Sequence, residues 1–114
     1  MREVGNVPRG VRVFSAATRE VCAALGSEIA RVRRERRWSQ TELAGRVGVS
    51  LGTVRAVEKG SPSVTLGVAF EAAGVLGIDL LGGPAAAAAR RTENRRALAL
   101  LPKRVRVEVV DDDF

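Results

Sequence analysis

Histidine and tyrosine are absent from this 114-residue chain, cysteine occurs once, and aromatic residues make up only 4% of it. Without imidazole, the most common general base and metal ligand is missing. With Cys22 alone, an intrachain disulfide is excluded and a zinc site of ordinary composition nearly so. A reducing cytoplasm is the natural setting for such a chain. There is no nucleophile elbow, no phosphate-cradling glycine loop, and no pairing of carboxylates outside the terminal Asp111–Asp113 run. The expectation is therefore a chain that is not an enzyme and takes no cofactor and no metal. Long apolar runs are lacking too. The longest, Val64 to Leu81, is broken by Glu71 and Asp79, which argues against a membrane span. Residues 1–13 are basic and interrupted by Gly5, Pro8 and Gly10, unlike a signal peptide.

What the chain does have is positive charge, +6 in all, and it is unevenly placed. Residues 1–60 hold 12 Lys/Arg against 6 Asp/Glu, residues 90–106 hold 7 against 1, and residues 107–114 carry four acids and no base. A basic excess on both sides of the middle of the chain points to a polyanionic partner.

The middle of the chain reads as short capped helices. Ser39 is a good N-cap and Glu42, three residues on, fits the capping box. Leu43, Ala44 and Val47 form an apolar stripe, and Gly48 supplies the left-handed stop. Ser50 caps again, Val54 and Val57 set a second apolar face, and Gly60 ends it. Two capped helices around a glycine-containing turn are the pattern of a helix-turn-helix. Upstream, Ser15 caps a helix reaching about Arg37, in which Val21, Leu25, Ile29 and Val32 face a core. Gly26 costs that helix about 1 kcal/mol against alanine and invites a break or kink. Trp38 and Phe70 read as core. A fourth helix runs from about Val64 or Thr65 to Leu76, with Leu66, Ala69, Phe70, Ala73 and Leu76 on one face. Ile78, Leu80 and Leu81 close the core, and Gly82-Gly83-Pro84 marks a boundary. Pro84 and the run Ala85–Ala89 suit the start of a further helix. Alternation of Val105, Val107 and Val109 with charged residues argues for a short strand, which needs a partner such as the same strand of a second copy. The division expected is a basic arm at 1–14, a helix-turn-helix domain at 15–81 and a helical, basic extension with an acidic tail at 82–114.

Trp38-Ser-Gln-Thr-Glu-Leu-Ala44, Gly48-Val-Ser50 and Val57-Glu-Lys-Gly60 make residues 27–81 resemble the Xre (phage-repressor and Cro) helix-turn-helix family. The segment from Pro62 to Ala73 and the end from Leu101 to Phe114 resemble small HipB-like antitoxins of HipA-type kinase toxins. The resemblance implies an all-α, five-helix phage-repressor-like bundle with a C-terminal extension, in which the short strand stays an open option. It also implies a homodimer with the helix at 50–59 in the major groove of operator DNA. Arg33 and Glu58 would match the family's structural Arg–Glu pair.

In that frame Gln40 sits where its side chain and the first N–H groups of the motif's leading helix meet a phosphate; otherwise it is an ordinary exposed polar residue. Ser50, Leu51, Gly52, Thr53, Arg55 and Ala56 occupy the reading end. Leu51, Gly52 and Ala56 offer no bidentate hydrogen bonds to bases, so direct readout is thin and DNA shape carries weight. Arg55 addresses a guanine, grips a phosphate or is simply solvated. Arg31, Arg34, Arg36, Arg37, Arg46 and Lys59 form a basic surface that is either an ordinary solvated helical face or, placed beside a helix-turn-helix, a set of phosphate contacts. Asp111, Asp112, Asp113 and Phe114 are either a solubilising end, a docking segment for a toxin, or an acidic cover for the protein's own basic surface. The function expected is a bacterial, cytoplasmic DNA-binding repressor, nucleoid-associated when on DNA and serving as antitoxin to a HipA-like kinase. A free-standing Xre-type regulator and a protein-interaction scaffold that has lost DNA binding are the alternatives.

Overall fold

The computed structural model describes residues 13–104, which fold as five α-helices with no strand among them. The valine alternation at 105–109 and the acidic end at 111–114 lie outside the described residues, as do residues 1–12 of the basic arm. The chain divides into two units, one ending at Leu80 and the other beginning at Leu81.

The first unit carries α1 (Ala16–Glu35), α2 (Gln40–Val47), α3 (Leu51–Glu58) and α4 (Leu66–Val75). Three of the four begin at a serine whose hydroxyl accepts from a backbone N–H of the first turn. These are Ser15 from Thr18 at 3.1 Å, Ser39 from Glu42 at 3.0 Å and Ser50 from Thr53 at 3.1 Å. Only half of the expected capping box at α2 is built. The Glu42 carboxylate accepts from Arg46 at 3.0 Å instead of turning back to Ser39.

The helices also stop alike, with a left-handed residue whose successor reaches back to a carbonyl five residues earlier. Gly48, Gly60 and Gly77 fill that position after α2, α3 and α4. After α1 it is filled by Arg37, at φ 61°, with Trp38 N–H donating to Arg33 C=O at 3.1 Å. A side chain in this conformation costs about 1–2 kcal/mol that glycine does not.

Ile29, Leu43, Val54 and Leu76 are fully buried at the centre, with Ala44, Val57, Ala72 and Ala73 completing the core. Each large member contributes roughly 1.5–3 kcal/mol by leaving water. Leu25, Val32, Trp38, Val68 and Ile78 pack partly buried around it. Four expectations are corrected. Val21 is 69% exposed, so the apolar stripe of α1 engages only from Leu25 onward. Phe70 and Leu66 are exposed, because α4 turns Val68, Ala72 and Val75 inward instead; Leu81 is exposed as well. Finally, α1 runs unbroken through Gly26. There a Cβ would meet the carbonyl oxygens of Val57 and Glu58 and, at 2.9 Å, the Gly60 nitrogen. Reciprocally, a Cβ on Gly60 would lie 2.5 Å from Ala23 Cα. The two glycines let the backbones of α1 and the end of α3 touch, so Gly26 serves contact and not a kink.

The second unit contains α5 (Gly83–Ala99), with Pro84 in its first turn. Among the described residues no single helix is long and apolar enough to cross a membrane.

Candidate nucleic-acid interface

The C-terminal end of α3 is held by a buried ion pair. Arg33 from α1 presents its fork to Glu58, Nε to Oε2 at 2.6 Å and Nη2 to Oε1 at 3.0 Å. Its remaining nitrogen, Nη1, donates to Trp38 C=O at 2.8 Å, and Gln40 Nε2 donates to Glu58 Oε1 at 2.9 Å. Both charged side chains are less than a tenth exposed. Burial alone pushes the Glu58 carboxyl up. Hydrogen bonds from Arg33 and Gln40, with the charges of Arg33 and Arg34, more than reverse this and hold it below the ordinary carboxylate range. The hydrogen bond to Glu58 likewise raises the Arg33 guanidinium above its ordinary value, against its own desolvation. One constellation thus ties α1, the elbow after it, the start of α2 and the end of α3.

The opposite end of α3 is open. Ser50, Gly52 and Arg55 are exposed, while Leu51, Thr53 and Ala56 are half-buried. Thr53 spends its hydroxyl on Ser50, Oγ1 to Oγ at 2.9 Å. This leaves Arg55 as the charged side chain of the exposed face until Lys59, also exposed. The open end borders a groove of about 440 Å³, lined across from Ser50, Gly52, Thr53 and Ala56 by Ser63, Val64, Thr65 and Val68. From the sequence these neighbours on the α4 side are only a loop and a helix start. Their signal in the sequence is the Ser61-Pro62-Ser63 turn, which returns the chain beside α3.

The structure sorts the basic surface into two groups. Arg46 is engaged twice, by Glu42 and by the face of Trp38, 4.0 Å from its guanidinium carbon to the ring centre. Arg31 bridges Glu28 and Glu35. Arg36 donates to Leu76 C=O at 2.7 Å, satisfying the last turn of α4. Arg34, Arg37, Arg55 and Lys59 are exposed and make no ion pair among the described residues. Gln40 is half-buried with one amide hydrogen committed to Glu58, so at α2 the free N–H groups of the first turn are the more open anion donors.

Two capped helices in contact, a tight glycine turn between them and a solvent-facing start to the second are now in place. Residues 29–82 match a protein-family model described as Helix-turn-helix. They form an Xre-like helix-turn-helix domain. Domains of this family are DNA-binding regulator modules, and the helix-turn-helix here comprises α2 and α3. No curated protein and no solved structure matches the chain.

Proposed function

We propose that this chain is a sequence-specific transcriptional repressor that lays the start of α3 in the major groove of its operator, as one half of a homodimer on two half-sites. The observation that carries the reading is the asymmetry of α3: its last turn is fixed to α1 by a buried ion pair and by glycine contacts, while its first turns stand open. A rod clamped at one end and exposed at the other suits insertion into a duplex. Arg37 supports it. A guanidinium kept in a left-handed conformation, where glycine costs less, puts an exposed cation two residues before the cap of α2. Ser50, Leu51, Gly52, Thr53 and Arg55 face bases, and Gln40, Arg37 and Lys59 face phosphates. Arg46 contributes field and holds Trp38, since its guanidinium is already partnered.

Footprinting of the full chain on its own promoter region tests the reading. A protected, salt-sensitive site is expected. Arg55→Ala costs about 1–3 kcal/mol of affinity with relaxed preference at one base if it reads that base, and a smaller, uniform amount if it holds a phosphate. A chain that protects no site is a scaffold, and the repressor reading falls.

The narrower reading makes the same repressor the antitoxin of a HipA-like kinase toxin. Exposed Leu66 and Phe70, inside the segment Pro62–Ala73, offer that partner an apolar foothold. Co-expression with the adjacent open reading frame decides it. A neighbour that is harmless alone, or that forms no complex with this chain, leaves a free-standing regulator.

A further inference from the structure

We infer that the arginines of α5 make a second, sequence-independent contact with the phosphate backbone of duplex DNA. The inference rests on the reading of the chain as a DNA-binding protein, and it concerns residues outside the helix-turn-helix.

Compensated and uncompensated charge are unevenly divided along the described residues. Residues 13–80 carry nine Lys/Arg against seven Asp/Glu, and most of those cations are already occupied. Arg31, Arg33 and Arg46 pair with glutamates, and Arg19 and Arg36 donate to backbone carbonyls. Residues 81–104 carry six Lys/Arg and a single acid, Glu93. Arg90, Arg91, Arg95 and Arg96 are exposed and form no ion pair among the described residues. Among the described residues the stretch 13–80 is thus nearly balanced, and α5 sets four unpaired arginines within seven residues, while the full sequence adds Arg2, Arg9 and Arg12 before the first stretch and Glu108 and Asp111 to Asp113 after α5.

Holding these charges together opposes helix formation. Arg91 and Arg95 stand one turn apart, where like charges cost a few tenths of a kcal/mol. The run Ala85–Ala89 offsets this with the best helix-forming residue. A helix that keeps self-repelling cations gains when a polyanion relieves them. Arginine suits that anion, because its planar fork grips phosphate oxygens in pairs. The four positions are also spread around the helix, and Leu98 and Leu100, two residues apart, fall on opposite sides. No continuous apolar face results, which disfavours a lipid surface. Phosphates of a duplex demand charge and no particular face, so base sequence plays no part in this contact.

The test uses the full chain with Arg90, Arg91, Arg95 and Arg96 all changed to Gln, a good helix former. Both proteins are titrated with a random-sequence duplex and with the promoter duplex, from about 50 to 200 mM salt. A duplex lying along one side of α5 meets two or three of the four, so with about 0.9 of slope per phosphate the plot of log affinity against log salt should become shallower by roughly 2–3 in the variant, on both duplexes. The position of any promoter footprint should not change, and the fourfold Arg→Lys protein should keep most of the slope. An unchanged slope overturns the α5 contact while a persisting footprint leaves the repressor reading intact. Conversely, a shallower slope in the variant with no footprint by either protein sustains the contact and sinks the repressor reading. Binding to phosphatidylserine vesicles that is lost in the variant, with the duplex slope unaltered, assigns α5 to a lipid surface and overturns the inference.

Discussion

The two ends of α3 obey opposite rules within eight residues. At its C-terminal end, Val57 is buried, Glu58 accepts three hydrogen bonds, and Gly60 is so close to α1 that neither it nor Gly26 has room for a methyl group. At its N-terminal end, Gly52 has nothing nearer to a would-be Cβ than the Ser50 hydroxyl at 3.8 Å. The same residue type is a packing necessity beside one end and a free choice at the other. Stability is concentrated where the helix is clamped, and the surface left over is where recognition can vary without cost to the fold.

The contrast can be broken most severely at the ion pair. Glu58→Ala leaves the Arg33 guanidinium buried without its counter-charge, and is expected to cost about 3–5 kcal/mol in denaturant unfolding. Most of the stability of a unit this small would go with it. Gly26→Ala should cost about 1–3 kcal/mol, although alanine is the better helix former, because the backbone of α3 must move away. A neutral or stabilising result would mean that the two glycines do not clamp α3 to α1. Acid probes the same pair. The folded Glu58 carboxyl titrates below its unfolded value, so the unfolded state binds more protons between the two. The pair's contribution is fully present above the ordinary glutamate range near about 4.3 and is lost as pH falls through the lower folded value. Thermal melts should therefore show a drop in midpoint on acidification that is absent in Glu58→Gln. At the open end, Gly52→Ala should raise stability by up to about 1 kcal/mol with an unchanged denaturant slope. Arg37→Gly should be the mildest, because the about 1–2 kcal/mol of backbone strain it relieves is largely offset by the entropy glycine adds to the unfolded chain, while affinity for any duplex falls uniformly.

Much of the helical framework at both ends of α3 was legible in the sequence, and for identifiable reasons. Caps at Ser15, Ser39 and Ser50, stops at Gly48 and Gly60, and burial of Val54 and Val57 follow from local chemistry that tertiary packing did not override. The Arg33–Glu58 pair came from family resemblance, since 25 residues separate its members and no periodicity links them. The misreadings also have causes. Periodicity gives α1 an apolar face but not how far its neighbours extend, so Val21 continues the stripe past the last partner in the unit. In α4 nearly every residue is apolar, so the pattern names no face, and Phe70 and Leu66 fell on the wrong one. Gly26 looked like a weakness because a glycine's close neighbour on another helix leaves no local trace. The sorting of the arginines was visible in part. Glu28, Arg31 and Glu35, and likewise Glu42 and Arg46, stand at the three- and four-residue spacings that pair on a helix.

Trp38 is the sole tryptophan, and tyrosine is absent, so the indole emission of this molecule originates at a single place and is free of tyrosine overlap. That indole sits at the elbow between α1 and α2, with the Arg46 guanidinium over its face and Arg36 at 5.4 Å. Any movement of the elbow, or of Arg46 off the ring, alters the indole's surroundings and its quenching. The unlabelled chain therefore carries an optical gauge at the elbow that joins α1 to the helix-turn-helix.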